Sequence, residues 1–182
     1  MKIYFLTGNK NKLDEAMAIM PEIESKDVDL PEIQEIDPKK IIEIKLEAAS
    51  KVVEGNLMVE DNSLYMSATE GLPGPLIKWF MKTIGSRGLV DIATKLGNSA
   101  AEAKVWIGYL SEGKTEFFEG NIKGKIVEPR GENGFGWDAI FEVEGTGKTF
   151  AEMTSEEKNK ISMRKVALEK LKSYLELGLK TS

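Results

Sequence analysis

Hydrophobic residues recur along this chain with two spacings, and the switches between them mark out alternating strands and helices. Residues 2–6 form a short apolar run that predicts a buried strand, followed by the polar loop Thr7-Gly8-Asn9-Lys10-Asn11-Lys12. Leu13, Met17 and Met20 then follow a helical period that Pro21 ends, and residues 23–28 suggest a second strand. Asp37-Pro38 reads as a helix cap with proline in the first turn, and the helix it opens places Ile41, Ile44, Ala48 and Val52 on one stripe before stopping near Gly55. Leu57-Met58-Val59 predicts a brief apolar strand that ends where Glu60-Asp61-Asn62-Ser63 begins.

The turn-rich Gly71-Leu72-Pro73-Gly74-Pro75 leads into an aromatic helical stretch through Trp79 and Phe80. Residues 105–110 and 116–127 predict two longer strands joined at Glu112-Gly113. Gly134-Phe135-Gly136-Trp137-Asp138 reads as a loop before a strand over 139–142. Thr154-Ser155-Glu156-Glu157 has the form of a helix start, and residues 161–177 predict a C-terminal helix. Strands alternating with helices, plus one hairpin, imply an α/β or α+β chain with a mixed sheet. No repeat, low-complexity tract or linker interrupts it, so residues 1–182 are expected to form one domain.

Composition narrows the chemistry more than the fold. The chain has 182 residues with no cysteine and no histidine. Disulfides, thiolate nucleophiles, histidine bases and histidine metal ligands are therefore excluded. Acid–base and metal work must fall to Asp, Glu, Lys, Tyr or bound water, and all-oxygen ligation favours a hard cation such as Mg²⁺ or Mn²⁺. A net charge of −5 argues against a nucleic-acid partner but leaves room for a small anion bound through local cations. No apolar run approaches the roughly 18 residues of a spanning helix, and the first residues lack a signal-peptide pattern, so no membrane partner and a cytoplasmic location are expected.

Four segments carry candidate chemistry. Thr7 to Lys12, between a strand and a helix, would aim N–H groups, hydroxyl and lysine charge at an anion, although a polar turn capped by Asn9 explains it equally. Glu60 and Asp61, at the predicted end of a strand, suit metal ligation or activation of water, with Glu32 a further carboxylate; a surface turn is the bland alternative. The glycine-flanked Phe135 and Trp137 could stack on a base while Asp138 holds its edge, or Trp137 could be core and Asp138 a cap. Lys158 and Arg164 could meet phosphate or base, or lie on a solvated helix face.

The order of these segments resembles the inosine triphosphate pyrophosphatase, or Ham1, family over nearly the whole chain. The resemblance rests on Thr7-Gly8-Asn9 with Lys12, Val59-Glu60-Asp61-Asn62-Ser63-Leu64, Gly71-Leu72-Pro73-Gly74-Pro75 and Lys78-Trp79-Phe80. It continues through Phe135-Gly136-Trp137-Asp138, Thr149-Phe150-Ala151-Glu152-Met153, Glu157-Lys158-Asn159 and Ser162-Met163-Arg164. It implies a homodimer whose mixed-sheet subunits have two lobes around a nucleotide cleft. It also implies Mg²⁺-dependent hydrolysis of ITP, dITP or XTP to monophosphate and pyrophosphate.

Carried over position by position, Thr7, Gly8, Asn9, Lys12 and Lys45 would hold the triphosphate, with Asn62 and Ser63 beside it. Glu32 and Asp61 would bind metal or orient water, with Glu60 adjacent. Phe135, Gly136, Trp137, Asp138, Lys158, Met163 and Arg164 would surround the base, and Lys12, Lys45 and Asp61 would carry catalysis. The family usually has histidine where this chain has Met163, which cannot donate a hydrogen bond, so keto recognition is expected to pass to Arg164 and backbone donors. A Maf-type pyrophosphatase and a catalytically silent nucleotide-binding regulator are the competing readings.

Overall fold

The computed structural model describes residues 2–180. The first strand, β1 (Ile3–Leu6), leads into α1 (Lys10–Ile19), β2 (Ile23–Lys26) and α2 (Pro38–Ser50). Next come β3 (Asn56–Met66), β4 (Pro73–Gly74), α3 (Ile77–Thr83) and α4 (Gly85–Lys95). The long hairpin β5 (Ala100–Ser111) and β6 (Lys114–Ile126) precedes β7 (Phe141–Val143), α5 (Ser155–Ile161) and α6 (Met163–Lys180). The seven strands form one mixed sheet in the order β2-β1-β3-β5-β6-β7, with β4 beside β3. β1 runs parallel to β2 and β3, and the remaining pairs are antiparallel. The mixed α/β architecture expected from the sequence is the one observed. No helix among the described residues is long and apolar enough to cross a membrane.

Local signals explain most boundaries. Asp37 caps α2 by accepting from the Lys39 N–H, with Pro38 in the first turn. Thr154 and Glu157 cap α5 reciprocally. The hairpin turns at Glu112 and Gly113, both at positive φ, as a two-residue connection between twisted strands requires. Helix α4 was not expected from the sequence pattern. Gly85 and Gly88 lower its propensity, and it is held by Leu89, Val90 and Ala93, which are buried.

Three expectations are corrected. The buried face of α2 is Ile41, Ile42, Leu46 and Ala49, while Ile44 and Val52 are exposed. The choice is made by β5, where a Cβ on Gly108 would lie 2.1 Å from Ile42 Cγ2, so the helix seats its Ile42–Leu46 ridge on a glycine. The second correction concerns β3, which does not stop before Glu60 but runs through Met66, paired with β5 over the whole of Leu57–Met66. The C-terminal helix likewise starts at Met163, because Ser162 is extended and ends α5.

The sheet separates two apolar clusters, one under α1, α4 and α6 and a smaller one under α2. Alternation along β3 sends Met58 and Leu64 to the first and Leu57 and Val59 to the second. On its other edge β3 meets β1 only as far as Met58 and β4 only from Leu64. Between those points the sheet splits, and the split opens a cleft.

Candidate active site

The cleft has a volume of about 1130 Å³ and is entered between the loop after β1, the segment after β2, β3 and α3. A recess of about 120 Å³ continues from it, walled by Lys12, Glu32, Lys45, Glu60, Asp61, Asn62 and Lys78 among others. Each comes from a different piece of local logic. Asn9 caps α1, its side chain accepting from the Lys12 N–H at 3.2 Å, and the Asn9 N–H donates to Thr7 Oγ1 at 3.1 Å. Capping and anion binding are not rivals here, since both follow from the unpaired amides and positive end of the same helix. Lys12 projects one turn further on, and Lys45 reaches in from α2.

Glu60 and Asp61 are neighbours in the middle of β3, so their side chains leave on opposite faces of the sheet. Glu60 points toward α1 and α6. Arg164 grips it with two bonds of 2.8 Å, and Lys12 Nζ lies 3.0 Å from it. Burial would push the Glu60 carboxyl up, but the charges of Arg164 and Lys12 outweigh burial and hold it well below the carboxylate range. Asp61 points toward α2. Burial raises its pKa, against the hydrogen bond from Ser63 Oγ at 2.8 Å and the nearby charges of Lys45 and Lys12. Burial likewise lowers the Lys45 ammonium, against the attraction of Asp61. At the outer rim Glu32 is paired with Lys78, which holds its carboxyl low.

Thr7, Gly8, Asn9, Lys12, Glu32, Lys45, Glu60, Asn62, Gly136 and Trp137 line the main cleft, and Asp61 the recess. Six expected contacts are placed elsewhere, among them Phe135, which lines neither the cleft nor the recess. Arg164 is 1% exposed, with its guanidinium engaged by Glu60 and Glu15, so it does not present donors for a keto group. Met163 lies in the core under α6. Lys158 is buried between Asp138 at 2.6 Å and Glu15 at 2.9 Å, with its ammonium 4.7 Å above the Phe135 ring. Asp138 also accepts from the Phe135 N–H at 2.9 Å, tying down its own loop. Ser63 is 0% exposed and serves Asp61 rather than the cleft. Trp137 is divided: it edges the cleft while packing on Phe141 at 5.5 Å and on Phe150 at 6.4 Å.

Sequence reasoning missed Glu15, which bridges Lys158 and Arg164, and the two cleft lysines Lys78 and Lys82. The (i, i+3) relation of Glu15 to Lys12 on α1 was the available signal, as was the (i, i+4) relation between the two lysines of α3. Among the described residues no three acidic side chains cluster as a metal cage. The recess nonetheless fits a hard cation that arrives with phosphates and keeps several waters, because such an ion needs only one or two protein carboxylates. Asp61 and Glu32 are available for this, and the buried Asn62 Oδ1 beside them has no hydrogen-bond partner. Glu60, neutralised by two cations, is the poorest donor of the three.

The sequence profile of the Ham1 family matches residues 3–174. An inosine triphosphate pyrophosphatase of Fusarium vanettenii is 47% identical over 178 residues, covering 95% of each chain. One from Schizosaccharomyces pombe is 43% identical, covering 96% of this chain and 95% of its own. The solved Ham1 protein of Staphylococcus aureus superposes with a TM-score of 0.81 at 27% identity, covering 97% of this chain and 98% of its own.

Proposed function

The chain belongs to the Ham1 family, and from that premise we propose that it is a nucleoside triphosphate pyrophosphatase acting on deaminated purine nucleotides. It hydrolyses ITP, dITP or XTP between the α and β phosphates, releasing the monophosphate and pyrophosphate and so clearing these nucleotides from the pool. The observation that carries this reading is the convergence of Lys12, Lys45 and Asp61 on one recess beside a capped helix start, in a chain whose relatives are named for this activity.

The roles follow from charge and reach. Thr7, Gly8 and Asn9 offer hydroxyl, amide and backbone donors to phosphate oxygens, and Lys12 and Lys45 neutralise the charge that grows on them during substitution. Asp61 keeps one carboxylate oxygen toward the recess, where it orients and deprotonates the attacking water. Mg²⁺, or Mn²⁺ in its place, is the cofactor of this reading: held by Asp61 and Glu32, it would supply charge neutralisation at the phosphates. Lys78 shares Glu32 and adds a further cation at the rim. The base is received against Trp137 and the backbone around Gly136, with Asp138 and Lys158 bracing that loop.

A homodimer completes the reading and rests on the family resemblance, and the cytoplasmic location is carried over from the sequence pattern. Maf-type chemistry and silent nucleotide binding are less favoured, because the named relatives are inosine triphosphate pyrophosphatases. Pyrophosphate release from ITP, XTP, GTP, ATP and dTTP with Mg²⁺, beside Asp61→Asn, tests it. Release from ITP and XTP far above the rest, lost in the variant, is expected; no release from any nucleotide would sink it.

A further inference from the structure

The Asp61 carboxylate is held from behind. Residues 61, 63 and 65 of β3 project on one face of the sheet, because side chains alternate along a strand. Ser63, fully buried, donates its hydroxyl to Asp61 Oδ2 at 2.8 Å. That bond occupies one carboxylate oxygen and restrains the plane of the group, leaving the other for the recess that Asp61 lines.

We propose that Ser63 is a positioning residue that sets the orientation of the Asp61 carboxylate for reaction. This deepens the function proposed above and rests on Asp61 being the carboxylate that meets the substrate. A carboxylate free to rotate about its last bond spends part of its time with neither oxygen directed at the reacting water, and positioning of this kind is sensitive to small displacements.

The test compares Ser63→Ala and Ser63→Thr with the unaltered chain, and includes Ser63→Ala in an Asp61→Asn background. Ser63→Ala should lower kcat for ITP by about ten- to hundredfold, the usual range for loss of a hydrogen bond that orients a reacting or ligating side chain. KM should stay within about twofold, since an interaction that shapes only the reacting geometry leaves ground-state binding alone. Ser63→Thr, which keeps the hydroxyl, should restore the rate. In the Asp61→Asn background the serine change should have no further effect.

A second readout needs neither metal nor turnover. The Asp61 side-chain carboxyl ¹³C resonance, assigned by its loss in Asp61→Asn, should shift in Ser63→Ala and return in Ser63→Thr. An unchanged kcat with an unchanged resonance overturns the proposal, as does a kcat loss that threonine does not rescue. If the unaltered chain releases pyrophosphate from no nucleotide, the functional reading fails while the resonance still decides whether Ser63 orients Asp61.

Discussion

Removing the Arg164 guanidinium separates two accounts of that residue. If it were a base contact, Arg164→Met would weaken substrate binding and leave the fold largely intact. The structure gives it a different role, because it is 1% exposed and clamps Glu60, whose side chain is 3% exposed, and Glu15. With Arg164 and Glu60 both shielded from water, solvent and salt screen their attraction little. Deleting one member of a buried pair leaves an uncompensated charge and costs about 3–5 kcal/mol. Lys12 stays beside Glu60, which favours the lower end. For a chain of this size each kcal/mol shifts Tm by about 2–4 °C, so a fall of about 6–20 °C is expected.

The pH dependence sharpens the test. In the intact chain the Glu60 carboxyl is depressed, so its contribution is present above the unfolded value of about 4.3 and is lost as pH falls toward the folded one. In Arg164→Met burial raises the same carboxyl, and protonation on acidification relieves the penalty. The stability gap between the two proteins should therefore narrow as pH is lowered from 7 toward 4. Urea unfolding at a series of pH values, with m unchanged, measures it. A variant within about 1 kcal/mol of the parent at pH 7 that has lost ITP affinity would refute the clamp and restore the base contact.

Lys45 offers a second pH test. Burial lowers its pKa, so the alkaline limb of kcat/KM for ITP should begin below that of an exposed lysine, and Lys45→Arg should move the limb upward while keeping the charge. A limb unmoved by arginine assigns it to another group. Gly120→Ala should cost about 1–3 kcal/mol at the upper end, because the new methyl would lie 1.9 Å from the Met163 carbonyl oxygen, and calorimetry reads the loss. Met163→His should lower Tm without sharpening the ITP:GTP ratio, since position 163 lies in the core rather than the cleft; a gain in selectivity would contradict the burial seen here.

The fold was legible where local chemistry decides it. The caps at Asp37 and Thr154, the Glu112-Gly113 turn and the long hairpin all follow from residue type and spacing. It was less legible where a neighbour decides. Ile41-Ile42 and Ile44-Lys45-Leu46 offer two apolar stripes on α2, and only the glycine at 108 on a distant strand selects one. Glu60-Asp61 looked like the end of a strand because carboxylates are rarely buried inside one unless they are paired. The pair continues β3 because each carboxylate meets cations on its own side of a sheet that has split, and a split sheet leaves no trace in a local pattern. For the site, the loop and carboxylate positions singled out from the sequence meet in one cleft and its recess, whereas Arg164 and Lys158 could not be told from ligand contacts without Glu15, which no motif marks.

Lys12, Arg164 and Lys158 carry three positive charges, and Glu15, Glu60 and Asp138 three negative ones, so 3 − 3 leaves the connected network neutral. Neutrality is what lets Glu60, Asp138, Lys158 and Arg164 sit buried, with Lys12 and Glu15 partly buried beside them, without the penalty of an isolated charge. It also constrains binding. A triphosphate that draws on Lys12 takes a cation partly away from Glu60, and the network becomes locally negative at the point where anionic substrate has entered. Arg164 limits that cost by keeping both bonds to Glu60, while Lys45, Lys78 and Lys82 lie outside the network and bring further cations to the cleft, Lys45 under the attraction of Asp61 and Lys78 paired with Glu32. Charge reserved for substrate is thus separated from charge that stabilises the fold, and Lys12 is the one residue shared between them.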